Sequence, residues 1–235
     1  MSRTDLALEI KQIWGIDQPQ FEVTFTEASG TPETIPRLAG DRLQIEVIGD
    51  SSSQREVLLF HEGAHVYLFH LGYPASRTRI NGVIPELTGP PVDFLSEHYA
   101  LKLELEKRFD LQNERVNELR GMLNDALARL PIREDRTNYL QPGSGILPMK
   151  VASAVLLLTQ WDSTTEVRQS NVLMNASFSD LIAIYRTVLS TLQQAPPLPQ
   201  YSQKFTNSQV LHIKTILTSA VNDIFGSSCV LEFLH

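Results

Sequence analysis

The chain has 235 residues, 42% of them hydrophobic and 20% charged, which is the composition of a globular protein with one large domain or two small ones. Its net charge of −7 argues against a nucleic-acid-binding surface, and its single cysteine excludes an internal disulfide framework and any multi-thiolate zinc site. The N-terminus lacks the apolar segment of a secretory signal, and the longest apolar run, at 151–158, is too short to cross a bilayer. We therefore expect a cytoplasmic protein with no nucleic-acid partner and no membrane contact.

The first predicted elements alternate between helix and strand. Apolar residues at helical spacing predict a short helix over 4–14, and strict alternation of apolar and polar residues predicts strands over 21–27 and 42–48. Ser53 and Glu56 form a capping-box pattern that predicts the start of a helix over about 54–71. A loop rich in Gly, Pro and Asn is expected to follow, as far as residue 91.

The rest of the chain has the pattern of a helical protein. Helices are predicted at about 92–109, 111–130, 147–160, 178–194 and 206–225, and the C-terminal LEFLH is expected to dock as a short strand or tail. The order of elements indicates an α+β protein, in which a small sheet packs on the 54–71 helix and a mainly helical half follows. We place a domain boundary in the Pro- and Gly-containing region near residue 140, giving domains 1–140 and 141–235.

The most informative stretch is HEGAH, residues 61–65, in the middle of an apolar run. On a helix His61 and His65 lie one turn apart on the same face, so their imidazoles can reach one metal ion. Glu62 is rotated by about 100° and need not bind the ion, which leaves it to act as a general base on a metal-bound water. We therefore predict Zn²⁺ as the cofactor, with His61 and His65 as ligands and Glu62 as the base.

A catalytic zinc site normally has three protein ligands, so a third must come from elsewhere in the chain. A histidine six residues after His65 is absent. Asp93 and Glu97 are four apart on the predicted next helix and share a face; we choose Glu97 as the ligand, with Asp93 holding a ligating histidine by its other nitrogen. The reverse assignment and Glu86, in the loop, remain as alternatives.

A tetrahedral oxyanion needs a hydrogen-bond donor besides the metal. The candidates are Tyr73, Arg77, Arg79, His98 and Tyr99, and the two arginines are placed in a loop over the cleft. His98 is preferred, because it lies about 100° from Glu97 on the helix whereas Tyr99 lies about 200° away. The strand over 42–48 directly precedes the motif helix, and an exposed edge of it would pair with a substrate backbone.

These motifs resemble those of a known class of enzymes. HEGAH, with a glutamate about thirty residues later in the next helix, is similar to the gluzincin branch of HExxH zinc metallopeptidases. More loosely, FHEGAHVYLFH followed by SEHYALKL resembles the ImmA/IrrE-type peptidases, whose third ligand is a Glu with an Ala three residues later, as Glu97 and Ala100 stand here. The similarity covers about residues 40–105 and implies a zincin-like domain, zinc, and hydrolysis of a peptide or protein substrate bound in extended form at a sheet edge.

Two other functions are compatible with the same residues. The first is a zinc-binding but non-hydrolytic regulatory or protein-interaction module, whose helical C-terminal half recognises a partner. The second is a metal-free helical interaction protein, in which His61 and His65 are core histidines bonded to nearby carbonyls. The pattern favours the zinc metallopeptidase, because a bound ion satisfies three polar side chains that the apolar surroundings would otherwise leave without partners.

Overall fold

The computed structural model describes residues 3–16, 21–28, 33–39, 42–49, 58–83, 94–107, 116–117, 120–121, 124, 179–200 and 203–234. The helices with described bounds are α1 Arg3–Trp14, α2 Gly63–His70, α3 Phe94–Lys107, α4 Ser179–Gln194 and α5 Asn207–Phe225. The strands are β1 Phe21–Glu27, β2 Glu33–Ala39, β3 Arg42–Gly49, β4 Ser76–Ile80 and β5 Cys229–Phe233. A π-helical turn, Leu58–Glu62, leads directly into α2.

The first sheet has three strands in the order β1-β3-β2, with β3 parallel to β1 and antiparallel to β2. The predicted alternation of β1 and β3 is confirmed, because Val23, Phe25, Ile45 and Val47 are all buried. The prediction of a free edge on the strand over 42–48 is wrong, since β1 and β2 occupy the two sides of β3. Strand β2 was not predicted. It contains Pro36, which is tolerated because β2 lies at the edge of the sheet.

A second sheet joins the middle of the chain to its C-terminal part. Strand β4 pairs antiparallel with β5, so the prediction of a loop from 72 to 91 is wrong for residues 76–80. Arg77 Nε and Arg79 Nε each donate to Glu232 on β5, at 2.8 Å, and these ion pairs join the polar strand β4 to the more apolar β5. The expectation that the C-terminal LEFLH docks as a strand is confirmed over Leu231–Phe233.

One continuous core lies beneath these elements. Its largest fully buried side chains come from α1, β3, α2, the residue after α2 and α3: Ile10, Ile45, Leu68, Leu71 and Leu95. Helices α4 and α5 contribute to the same core with residues such as Val188 and Leu217. The backbone N–H of Phe205 donates to the carbonyl of Leu71 at 2.8 Å, which ties the α4–α5 connection to the end of α2.

The α+β class is confirmed, and the predicted helices over 4–14, 178–194 and 206–225 agree with α1, α4 and α5. Of the helices predicted over 54–71 and 92–109, the described parts are the π-turn with α2, from Leu58, and α3; the capping pattern of Ser53 and Glu56 lies outside the described residues. The helix over 147–160 and the domain boundary near 140 fall outside the described residues, and of the helix over 111–130 only 116–117, 120–121 and 124 are described, all helical. None of the helices in the described ranges is long and apolar enough to span a membrane.

Candidate metal centre

The two histidines of HEGAH lie on either side of a change in helix type. His61 belongs to the π-helical turn and His65 to the first turn of α2. Single π-turns within α-helices are frequent at functional sites. The two rings are 5.1 Å apart, centroid to centroid, and meet nearly at a right angle. Both imidazoles therefore face the same space beside α2, with His65 buried and His61 nearly so.

Helix α3 supplies a carboxylate to this space. The Nε2 atom of His61 lies 3.4 Å from Oε2 of Glu97, and the Nε2 atom of His65 lies 3.4 Å from Oε1 of Glu97. The edge of a tetrahedron with metal–ligand bonds of about 2.0–2.1 Å is about 3.3–3.4 Å long. One donor atom from each of His61, His65 and Glu97 lies within 4.8 Å of the others. The two 3.4 Å distances end on different oxygens of Glu97, so they are not two edges of one such tetrahedron, but the three side chains are close enough that they could hold one metal ion.

The other ring nitrogen of each histidine faces a polar side chain on α3, and that of His65 is hydrogen-bonded to it. Nδ1 of His65 is 2.9 Å from Oγ of Ser96, and Nδ1 of His61 is 3.5 Å from Oε2 of Glu104. Such partners fix the ring orientation and the tautomer of a metal-binding histidine. Only Nδ1 of His65 makes a hydrogen bond, whereas Nδ1 of His61 has only the 3.5 Å ion-pair distance to Glu104. On both rings Nε2 is the nitrogen that faces Glu97, and a neutral imidazole can bind a metal through that atom.

The charges around His61 favour a cation. Burial alone lowers the pKa of His61, but the carboxylates of Glu104 and Glu97 outweigh it and raise the pKa to about 10. Burial likewise raises the pKa of Glu97, yet the charges of His65 and His61 and hydrogen bonds from both hold it well below the usual range. In the absence of a metal, the proton on His61 partly balances the negative charges of Glu104 and Glu97; a bound divalent ion would take over that role.

The cluster is open on one side. The side chain of Glu97 is 47% exposed, whereas the side chains of His61 and His65 are 18% and 9% exposed. Closed structural zinc sites have four protein ligands, whereas catalytic sites have three and leave one position accessible. The described ranges offer three candidate ligands, and the half-exposed Glu97 leaves a side of the group accessible to solvent.

Glu62 is buried beside the cluster, with 4% of its surface exposed. The hydroxyl of Thr34 on β2 donates a hydrogen bond of 2.6 Å to its Oε2 atom. Glu62 is outside the group of three candidate ligands, as expected for a residue rotated away from the histidine face. Its carboxylate is therefore held by the sheet, whereas the three candidate ligands lie on the π-turn, α2 and α3.

Several other predicted residues have structural roles. Tyr73 and Tyr99 are buried in a ring cluster with Phe205, and the Tyr99 hydroxyl donates to the carbonyl of Pro196. Arg77 and Arg79 bind Glu232 on β5 and lie on a strand, so the prediction that they lie in a loop is wrong. The two tyrosines thus belong to the core and the two arginines to the second sheet, and none of their described contacts is with His61 or His65.

His98 is buried on α3, and its ring lies 6.2 Å from that of Tyr99. Burial and the nearby charge of Lys102 lower the pKa of His98 to about 4, so it is neutral at pH 7 and has one N–H to donate. It is outside the group of three candidate ligands. Its role as an oxyanion donor stays a prediction, and Asp93 and Glu86 lie outside the described residues.

Sequence reasoning missed three residues that support the cluster: Thr34, Ser96 and Glu104. Glu104 is seven residues after Glu97, two helical turns along the same face, so its position was accessible from the spacing alone. Ser96 immediately precedes Glu97 and carries no comparable signal. Thr34 could not be found, because β2 itself was not predicted.

No protein-family model matches this chain, and no curated protein or solved structure is significantly similar to it.

Proposed function

We propose that this protein is a zinc-dependent peptidase in which His61, His65 and Glu97 hold the ion and Glu62 is the general base. The observation that carries the proposal is the convergence of both Nε2 atoms on the Glu97 carboxylate at 3.4 Å, with Nδ1 of His65 hydrogen-bonded to Ser96 and Nδ1 of His61 facing Glu104. A coincidental pair of core histidines would not need both rings to present the same nitrogen to one acid.

Zinc, when bound, acts as a Lewis acid that lowers the pKa of a coordinated water. The protein supplies the remaining groups. Glu62 accepts a proton from the attacking water as its oxygen bonds to the peptide carbonyl carbon, and it returns that proton to the amine as the C–N bond breaks. Because Glu62 is buried and bonded by Thr34, its carboxylate is already oriented before substrate arrives.

The edge strand β2 is the best-placed surface for an extended substrate. It pairs with β3 on one side and has no second partner among the described strands. A peptide added along such an edge gains main-chain hydrogen bonds with little demand on its sequence. Thr34, on the same strand, contacts Glu62, so a peptide on β2 would lie close to the base. The proposed substrate is therefore a peptide or protein segment in extended conformation.

The test combines metal content with hydrolysis. Protein purified without a histidine tag should contain about one zinc per chain by elemental analysis, before or after reconstitution. Glu62→Gln should keep that zinc and lose hydrolysis of an internally quenched peptide library by a factor of about 10²–10⁴. Full activity in Glu62→Gln contradicts the mechanism, and zinc without turnover in the wild type favours a non-hydrolytic zinc module instead.

A further inference from the structure

The contact between Thr34 and Glu62 joins the proposed substrate-binding strand, β2, to the proposed general base. Thr34 belongs to β2, the edge strand, and points to the inner face of the sheet, in register with buried Val47 on β3. Glu62 ends the π-helical turn that leads into α2. No other hydrogen bond between the first sheet and the HEGAH residues is described.

Two distances show which oxygen of Glu62 accepts the hydrogen bond from the Thr34 hydroxyl. Its oxygen is 2.6 Å from Oε2 of Glu62 and 3.4 Å from the main-chain carbonyl of the same residue. A separation of about 2.5–2.7 Å is typical of a hydroxyl donating to an ionised carboxylate, which is the stronger acceptor. Oε2 is therefore the oxygen that Thr34 holds, and Oε1 is the oxygen that the proposed base would use.

We propose that Thr34 is a positioning residue for the general base, and that it makes the orientation of Glu62 depend on the edge strand that receives the substrate. The inference rests on the proposed peptidase function. A free glutamate side chain has three torsions to fix, and a hydrogen bond to one oxygen fixes both the plane of the carboxylate and the oxygen that faces the substrate. Substrate pairing along β2 would then act on the same backbone segment that holds the base.

The experiment compares Thr34→Val with Thr34→Ser. Valine keeps the shape of the side chain and removes the hydroxyl, whereas serine keeps the hydroxyl. Thr26→Val is the matched control, because the Thr26 hydroxyl donates to Glu46 at 2.5 Å on the opposite face of the same sheet. The substrate is the best-cleaved member of an internally quenched peptide library, and zinc affinity is measured separately by competition with a chromogenic chelator.

For Thr34→Val we expect kcat to fall about 10–100-fold, with KM within about threefold of the wild type and zinc affinity unchanged. Thr34→Ser should recover most of kcat, and Thr26→Val should match the wild type. If Thr34→Val does not fold, as judged by thermal unfolding, Thr34→Ala provides the same comparison.

Two results would overturn the inference while leaving the peptidase proposal intact. One is an unchanged kcat in a folded variant without the hydroxyl. The other is a loss of zinc affinity that accounts for the whole loss of kcat, which would mean that Thr34 supports the ligands and not the base. A zinc-loaded wild type that cleaves no member of the library overturns the proposed function itself, and the role of Thr34 with it.

Discussion

Gly63 lies against the indole of Trp14 so closely that a Cβ atom at this position would come within 2.3 Å of Nε1. Gly63 immediately follows Glu62, and Trp14 is the last residue of α1 and is buried. The contact brings α1 against the start of α2, which carries His65. A glycine in the middle of HEGAH is thus explained by close approach of two helices, and the space it leaves is filled by an aromatic ring.

Gly63→Ala should therefore destabilise the protein by about 1–3 kcal/mol, because the buried indole has little room to move. The measurement is the free energy of unfolding in urea. The control is Gly121→Ala, at a helical position where a Cβ atom would meet nothing within 4 Å. That substitution should stabilise by roughly 0.5–1 kcal/mol, since alanine is the better helix former. Equal effects at the two positions would contradict the close approach.

His65→Ala should abolish tight zinc binding, because it removes one of three candidate ligands from a buried position. In the wild type, zinc at 100 times its Kd should raise the free energy of unfolding by about 2.7 kcal/mol, and the variant should show no such gain. His212→Ala is the control, since His212 is exposed on α5 and bonds only the carbonyl of Gln194 in the described contacts. A zinc-dependent gain that survives in His65→Ala would contradict the ligand assignment.

Glu104→Gln should weaken zinc binding about 10–100-fold without removing a ligand, because Glu104 faces Nδ1 of His61 at 3.5 Å and fixes its ring. Competition with a chelator measures the change. Glu106→Gln is the matched control on the same helix, since Glu106 is exposed. Equal zinc affinities for the two variants would show that Glu104 does not orient His61.

Zinc binding at pH 8 should release about one proton per ion. Burial lowers the pKa of His61, but Glu104 and Glu97 outweigh it and the pKa is about 10 in the metal-free protein, so the ring is protonated at pH 8 and must lose that proton to bind zinc. A histidine with the ordinary value of 6.5 would release almost none. Calorimetry in two buffers of different ionisation enthalpy measures the release. It should decline as the pH rises through about 10, and a release near zero at pH 8 would contradict the expectation.

The same proton makes the stability of the metal-free protein depend on pH. Because the pKa of His61 is higher in the folded state than in the unfolded state, its contribution is fully present below about pH 6.5 and is lost as the pH rises through about 10. Thermal unfolding of the metal-free protein should therefore show a melting temperature that falls between pH 7 and pH 10. Glu104→Gln should flatten this decline, since it removes one of the two carboxylates that hold the proton. An equally steep decline in the variant would contradict this origin.

The sequence was sufficient to predict those helices and strands in which apolar residues recur at a regular helical or strand spacing. The helices α1, α4 and α5 and the strands β1 and β3 carry regular apolar spacing, and each was predicted within one or two residues. The grouping of His61, His65 and Glu97 could also be predicted from the sequence. The i, i+4 spacing places the two histidines on one helix face, and a three-ligand metal site requires a further ligand nearby.

The parts that were missed depend on pairing between distant residues. β2 contains Pro36, which argues against a strand until its edge position is known. β4 reads SRTRI and becomes a strand because Glu232, 155 positions after Arg77, receives both arginines. The bond from Thr34 to Glu62 joins the missed strand β2 to a residue 28 positions later. Local periodicity carries no information about any of these contacts.

The pairing of β4 with β5 also bears on the order in which a growing chain acquires its parts during translation. All three candidate ligands, with Ser96 and Glu104, are synthesised before α4 begins, whereas the strand that covers β4 comes from residues 229–233. A nascent chain can thus contain all three candidate ligands while β4 still lacks its partner β5, and the backbone groups that β5 would pair are then open to association with other chains. A chaperone would be most useful in the interval between the synthesis of β4 and that of β5.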